Sequence, residues 1–218
     1  MYIQQVLTLI KKDFLMEWRQ KHALFGVLLY VGCTVFVIYM MTGQPEARTW
    51  NALFWIAQLF VTVNTVAKSF LQEGEGRARY YFTIVKPSQY LLAKMVYSLV
   101  LMLVMVIVSL GLFNLLLGAS LIRPLMFLGV ACAGASSLSL LFTFLSAIAA
   151  QARQNAALMA ILGFPIAIPL LMMLSKLAVA AVAPIVQEGW GNMLLLVLGM
   201  DVLIIGLGLI LFPFLWKE

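Results

Sequence analysis

Hydrophobic residues in this chain recur in long charge-free runs separated by short polar breaks. Each run is close to the roughly 20 residues a helix needs to cross a hydrocarbon core. Six runs predict six transmembrane helices, at about 23–42, 50–67, 93–117, 125–150, 156–174 and 193–216. Ahead of them, Ile3, Leu7, Ile10, Phe14 and Trp18 fall at helical spacing with Gln5, Lys12 and Arg19 opposite. That pattern predicts an amphipathic helix over residues 1–22 lying in the membrane interface; a helix frayed in solution is the alternative. The breaks hold Pro45, the stretch from Lys68 to Lys94, Arg123-Pro124, Gln151 to Asn155, and SKLAVAAVAPIVQEGWGN, where a short interfacial helix would fit. The expected fold is an all-α membrane protein, an interfacial helix at 1–22 followed by one six-span domain over 23–218.

Composition agrees, since 64% of residues are hydrophobic and 10% charged, where soluble chains are about a quarter charged. A net charge of +6 would suggest nucleic acid for a soluble protein; in a membrane chain it is the distribution of the cations that informs. With both termini in the cytoplasm, that side receives Lys11, Lys12, Arg19, Lys21, Lys68, Arg77, Arg79, Lys86, Lys94, Arg153 and Lys217. The other side keeps Arg48, Arg123 and Lys176. This asymmetry predicts the orientation and places the loop at 68–92 in the cytoplasm, where it could dock a soluble partner. No small-residue cleavage site follows Met41, so the first run reads as a span and not as a cleaved leader.

Within the spans the exceptions to apolarity are few. Asn51, Gln58, Thr62, Thr65 and Ser69 share one face of the second span, a face that must meet protein or a wet cavity. Interhelical hydrogen bonding accounts for such a face, and so does a polar path for cargo formed by Gln58, Thr62, Thr65 and Asp201. Asp201 stands well inside the last run, where a carboxyl needs burial against the bundle, proximity to the outer interface, or a proton. Gly129, Ala133 and Ser137 make a small-residue face for close helix packing. Pro165 and Pro169, one turn apart, predict a kink in the fifth span. His22 reads as an anchor at the cytoplasmic end of the first span, while Cys33 and Cys132 lie in apolar runs without metal-ligand spacing.

No catalytic constellation is visible. The glycines of QEGEGRARYY lack the Lys and Ser or Thr of a phosphate-binding loop, and HExxH and GxSxG are absent. The chain reads as a non-enzyme with no metal site.

The order of interfacial helix, six spans, a Glu- and Gly-containing cytoplasmic loop closing in VKPSQYLLAK, and an outer helix before the last span resembles ABC-2 type transporter permeases. FLQEGEGRARYYFTIVKPSQYLLAKMV and AILGFPIAIPLLMM are similar to the CcmB family, permeases of the cytochrome c maturation haem exporter. Where these permeases tend to have Leu-Glu after the loop glycine, this chain has Ala78 and Arg79.

The resemblance implies a bacterial inner-membrane subunit in two copies, with ATP bound by a separate CcmA-like ATPase. A CcmC-like haem-handling protein, a small CcmD-like subunit and a periplasmic CcmE-like haem chaperone would be its other partners. It further implies a cytoplasmic coupling helix between spans two and three that contacts the ATPase through Lys68, Gln72, Glu73, Glu75, Gly76, Arg77 and Arg79. Haem would then be handled by the complex, with no axial ligand from this chain, and nucleic acid is not expected. An ABC-2 exporter of lipid or drug, and a membrane scaffold without transport, remain as alternatives.

Overall fold

In a computed structural model, residues 2–19, 21–71, 85–118, 121–151, 156–182 and 188–215 are described. They form seven helices: α1 (Tyr2–Arg19), α2 (Lys21–Thr42), α3 (Ala47–Leu71), α4 (Pro87–Leu117), α5 (Pro124–Gln151), α6 (Ala156–Val182) and α7 (Trp190–Leu215). There is no strand among the described residues.

Helix boundaries follow local chemistry. Lys86 is extended (φ −66°, ψ 140°), as a residue before proline prefers, and Pro87 opens α4 where its missing N–H costs nothing. The Gln89 side chain accepts the Lys86 N–H at 3.3 Å, which anchors the first turn. At the other end Gly118, with φ +82°, leaves the helix in a conformation open to glycine. The 31 residues of α4 span about 46 Å, longer than a hydrocarbon core of roughly 30 Å.

Five helices contain stretches long and apolar enough to cross a membrane: Phe25–Thr42, Pro87–Leu117, Pro124–Ala150, Ile161–Val182 and Trp190–Pro213. The chain is a membrane protein. The remaining predicted span, 50–67, lies within the helix α3. Its polar side chains Asn51, Gln58, Thr62 and Thr65 are buried against protein, and Ala52, Ile56 and Phe60 turn outward.

The bundle is organised on α5, which packs against α3, α4, α6 and α7. At the end of the bundle holding residues 43–46, an aromatic cluster forms its core. Trp50 stacks on Phe54 at 5.7 Å, and Phe113 and Phe127 meet both rings edge-on. Polar ties close the same end: Asn51 Nδ2 donates to the Ser175 carbonyl at 2.9 Å, Trp190 Nε1 to the Leu177 carbonyl at 3.1 Å, and the Arg123 N–H to the Ala181 carbonyl at 3.0 Å.

Several expectations need correction. α6 does not stop at 174; it runs through Lys176 to Val182, so Ser175–Val182 continues the helix, and the separate helix expected after it is not formed over these residues. Three alanines and no glycine or proline among these eight residues let the helical ladder continue, and the buried Leu177, Ala178, Ala180 and Ala181 give it a packed face. Pro165 and Pro169 both lie inside α6. The close approach on α5 is at Gly134, where a Cβ would collide with the Trp55 indole, and not at Gly129, which is exposed with nothing within 4 Å.

On α1 the face turned to the bundle is Leu9 and Asp13, flanked by Val6, Ile10 and Met16, while Leu7 and Phe14 are exposed. The expected apolar stripe is thus divided. A helix that both docks on a bundle and borders lipid needs apolar residues on two sides, whereas a freely floating interfacial helix needs them on one.

Candidate functional site

Two polar places interrupt the apolar bundle. The first lies where α1 crosses the beginning of α4, next to segment 72–84 in the chain. Asp13 is brought to the inner face of α1 by the same helical register that buries Leu9. Opposite it stands Lys94, two turns into α4. Lys94 Nζ lies 3.3 Å from Asp13 Oδ2, with side chains 3% and 4% exposed. Lys12 Nζ, on the same helix, comes within 3.1 Å of Oδ1. Aromatic rings enclose the pair: Lys94 Nζ sits 5.9 Å from the centre of the Tyr90 ring, Tyr90 lies parallel to Phe212 of α7 at 6.5 Å, and Phe14 meets Tyr97 edge-on at 5.2 Å.

Reading the sequence missed this pair. Asp13 follows Lys11 and Lys12 and carries no local mark of a role, and Lys94 is one of the cytoplasmic cations that set the orientation. The one available signal was an acidic residue three to four positions from Leu9 and Ile10, on the apolar side of the helix.

The second place is in the middle of the bundle. Ser137 Oγ of α5 lies 3.0 Å from Asp201 Oδ2 of α7 and equally 3.0 Å from the carbonyl of Ala133. Asp201 is buried, and its other oxygen, Oδ1, has no hydrogen-bond partner among the described residues. On α3, Thr62 Oγ1 donates to the Gln58 carbonyl and Thr65 Oγ1 to that of Val61, each at 2.7 Å. These hydroxyls are therefore satisfied within their own helix. Gln58 is not: it is wholly buried, and both its amide nitrogen and oxygen are without partners among the described residues.

The structure does not join the four predicted path residues into one line. Gln58, Thr62 and Thr65 occupy the buried face of α3, whereas Asp201, on α7, faces Ser137 of α5, and the neighbours of α7 are α4, α5 and α6. Of the predicted coupling residues, Lys68 lies in the last turns of α3, and Gln72, Glu73, Glu75, Gly76, Arg77 and Arg79 fall outside the described residues. No group of three or more His, Cys, Asp or Glu side chains that could hold a metal occurs among the described residues.

A family model described as CcmB protein matches residues 4–214. The chain belongs to the CcmB family. The match runs from α1 to α7 and so includes the Asp13–Lys94 junction, segment 72–84 and the Pro165–Pro169 helix. CcmB proteins are ABC-transporter permeases of cytochrome c maturation, and the apolar helices of this chain agree with that assignment. No curated protein matches the chain.

Proposed function

We propose that this CcmB chain is the permease subunit through which a separate ATPase drives haem export, or the release of a haem-loaded chaperone, at the bacterial inner membrane. The supporting observation is the inverted character of α3, polar side chains inward and Ala52, Ile56 and Phe60 outward. A helix of 25 residues, about 38 Å long, can cross a bilayer with such a surface, because lipid meets only its apolar side. With α3 as a sixth span both termini are cytoplasmic and segment 72–84 faces the cytoplasm, in keeping with the distribution of Lys and Arg.

In this reading the ATPase docks on Lys68, Gln72, Glu73, Glu75, Gly76, Arg77 and Arg79, and its closure moves α3 and α4 as rigid bodies. Two permease copies, a CcmA-like ATPase, and CcmC-, CcmD- and CcmE-like partners complete the assembly. ATP is held by the ATPase and haem by the complex.

The test is complementation of a strain lacking its own CcmB. The wild-type chain should restore c-type cytochromes and co-purify with the ATPase. Joint charge reversal of Glu73 and Glu75 should leave the chain in the membrane without either property. Full maturation and ATPase binding by that variant would place the docking surface elsewhere.

A further inference from the structure

We infer that Asp13 and Lys94 are positioning residues that register α1 on α4 in the state described here, and that their ion pair opens while the ATPase works on segment 72–84. The second half of the inference rests on the proposed function; the first does not.

Stability does not explain the pair. Burying two charges costs more in lost hydration than their attraction usually returns, and well-packed apolar side chains in the same place hold helices together as well or better. What an ion pair adds is a defined register and the capacity to open, because each charge recovers its hydration when the helices separate. Its position suits that use. α1 packs on α4 and α2, so much of its attachment to the bundle runs through this junction. Lys94 follows Pro87, the first residue of α4, by two helical turns, and segment 72–84 lies just before that start. Through Tyr90 and its contact with Phe212, Lys94 also senses the end of α7. A pull on the first turns of α4 therefore reaches Asp13 before it reaches the aromatic core at the far end.

The experiment uses the full complex in lipid nanodiscs and four variants: Asp13→Asn, Lys94→Met, the exchange Asp13→Lys with Lys94→Asp, and the apolar pair Asp13→Leu with Lys94→Met. Docking of α1 is read as a spin-label distance between Gln5 and Val104, both exposed, and coupling as ATPase stimulation and cytochrome c yield.

Each single variant should broaden the distance and lower the yield at least about tenfold, since Asp13→Asn takes the carboxylate from in front of Lys94 and Lys94→Met leaves Asp13 with Lys12 of its own helix and no cation from α4. The exchange should restore both. The apolar pair should keep one narrow distance yet remain defective in coupling, because it holds α1 without being able to let go. Wild-type yield from the apolar pair would reduce the ion pair to packing and overturn the latch. An unchanged distance in both single variants, or an exchange that restores neither readout, would overturn the positioning role. Should no ATPase associate with the wild-type chain, the distances still decide the positioning role, and the failure belongs to the proposed function.

Discussion

Ser137 on α5 and Asp201 on α7 are joined by a hydrogen-bonded contact of 3.0 Å in the interior of the bundle. The serine has one proton and two acceptors at the same distance, Asp201 Oδ2 and the Ala133 carbonyl. The contact is thus the single described hydrogen bond of a buried carboxyl and a tie between two helices.

Removing the hydroxyl should be costlier than altering the carboxyl. Ser137→Ala leaves Asp201 buried without a described partner and should lower stability by about 1–3 kcal/mol. Asp201→Asn keeps a group that can donate to or accept from Ser137, and should cost less. Thermal unfolding of the two variants in the same detergent checks the order; equal midpoints would show that Asp201 has another source of hydration or partnership.

Gly134 and Gly129 differ by one helical turn and a little more, yet only the first is in contact. A Cβ at Gly134 would meet the Trp55 indole and approach Leu174 to 3.1 Å, whereas at Gly129 nothing lies within 4 Å. Gly134→Ala should therefore destabilise by about 1–3 kcal/mol through overpacking, and Gly129→Ala should stay within about 0.5 kcal/mol of wild type. Urea or thermal unfolding of both variants decides the matter.

Gln58 offers a separation of stability from function. Its unpartnered amide carries a desolvation cost, so Gln58→Leu should be neutral or stabilising by up to about 3 kcal/mol if nothing else binds there. If the amide serves the transported or released group, the same variant should be the more stable protein and the poorer one in cytochrome c maturation. A loss of stability would instead reveal a hydrogen-bonding partner of Gln58.

The crossing of α3 can be tested from the two sides of the membrane. Cysteines at Gly76 and at Gly189 should react with an impermeant reagent from opposite faces, Gly76 from the cytoplasm and Gly189 from outside. Glu46→Cys should follow Gly189. Reaction of the cysteines at positions 46 and 76 from one face would mean that α3 returns without crossing.

Much of this architecture is legible in the chain because a bilayer reduces part of the folding problem to one dimension. A charge-free run near the thickness of the hydrocarbon must be helical, since no water is present to satisfy its backbone. That argument located α2, α4, α5, α6 and α7 within a few residues at most ends, the continuation of α6 through Lys176 being the main exception. It also anticipated that Asn51, Gln58, Thr62 and Thr65 could not face lipid, because their period assigns them to one side of a helix.

Relations between helices were not legible in the same way. Asp13 and Lys94 are far apart in the chain, and each has an adequate local explanation, one as a polar residue beside Lys11 and Lys12, the other as a cation at a membrane boundary. Their pairing depends on the rotation of α1 about its own axis, which buries Leu9 together with Asp13, and no local pattern records that rotation. Gly134 likewise resembles Gly129 until Trp55 is placed over it. The chain alone determined the membrane class, the approximate positions of the apolar helices and the side of α3 that had to be covered, because those depend on the solvent each residue must avoid. Which residue covers which was decided only by tertiary structure, because a contact between distant residues depends on the rotation and depth of two helices together, and these are set by the whole bundle.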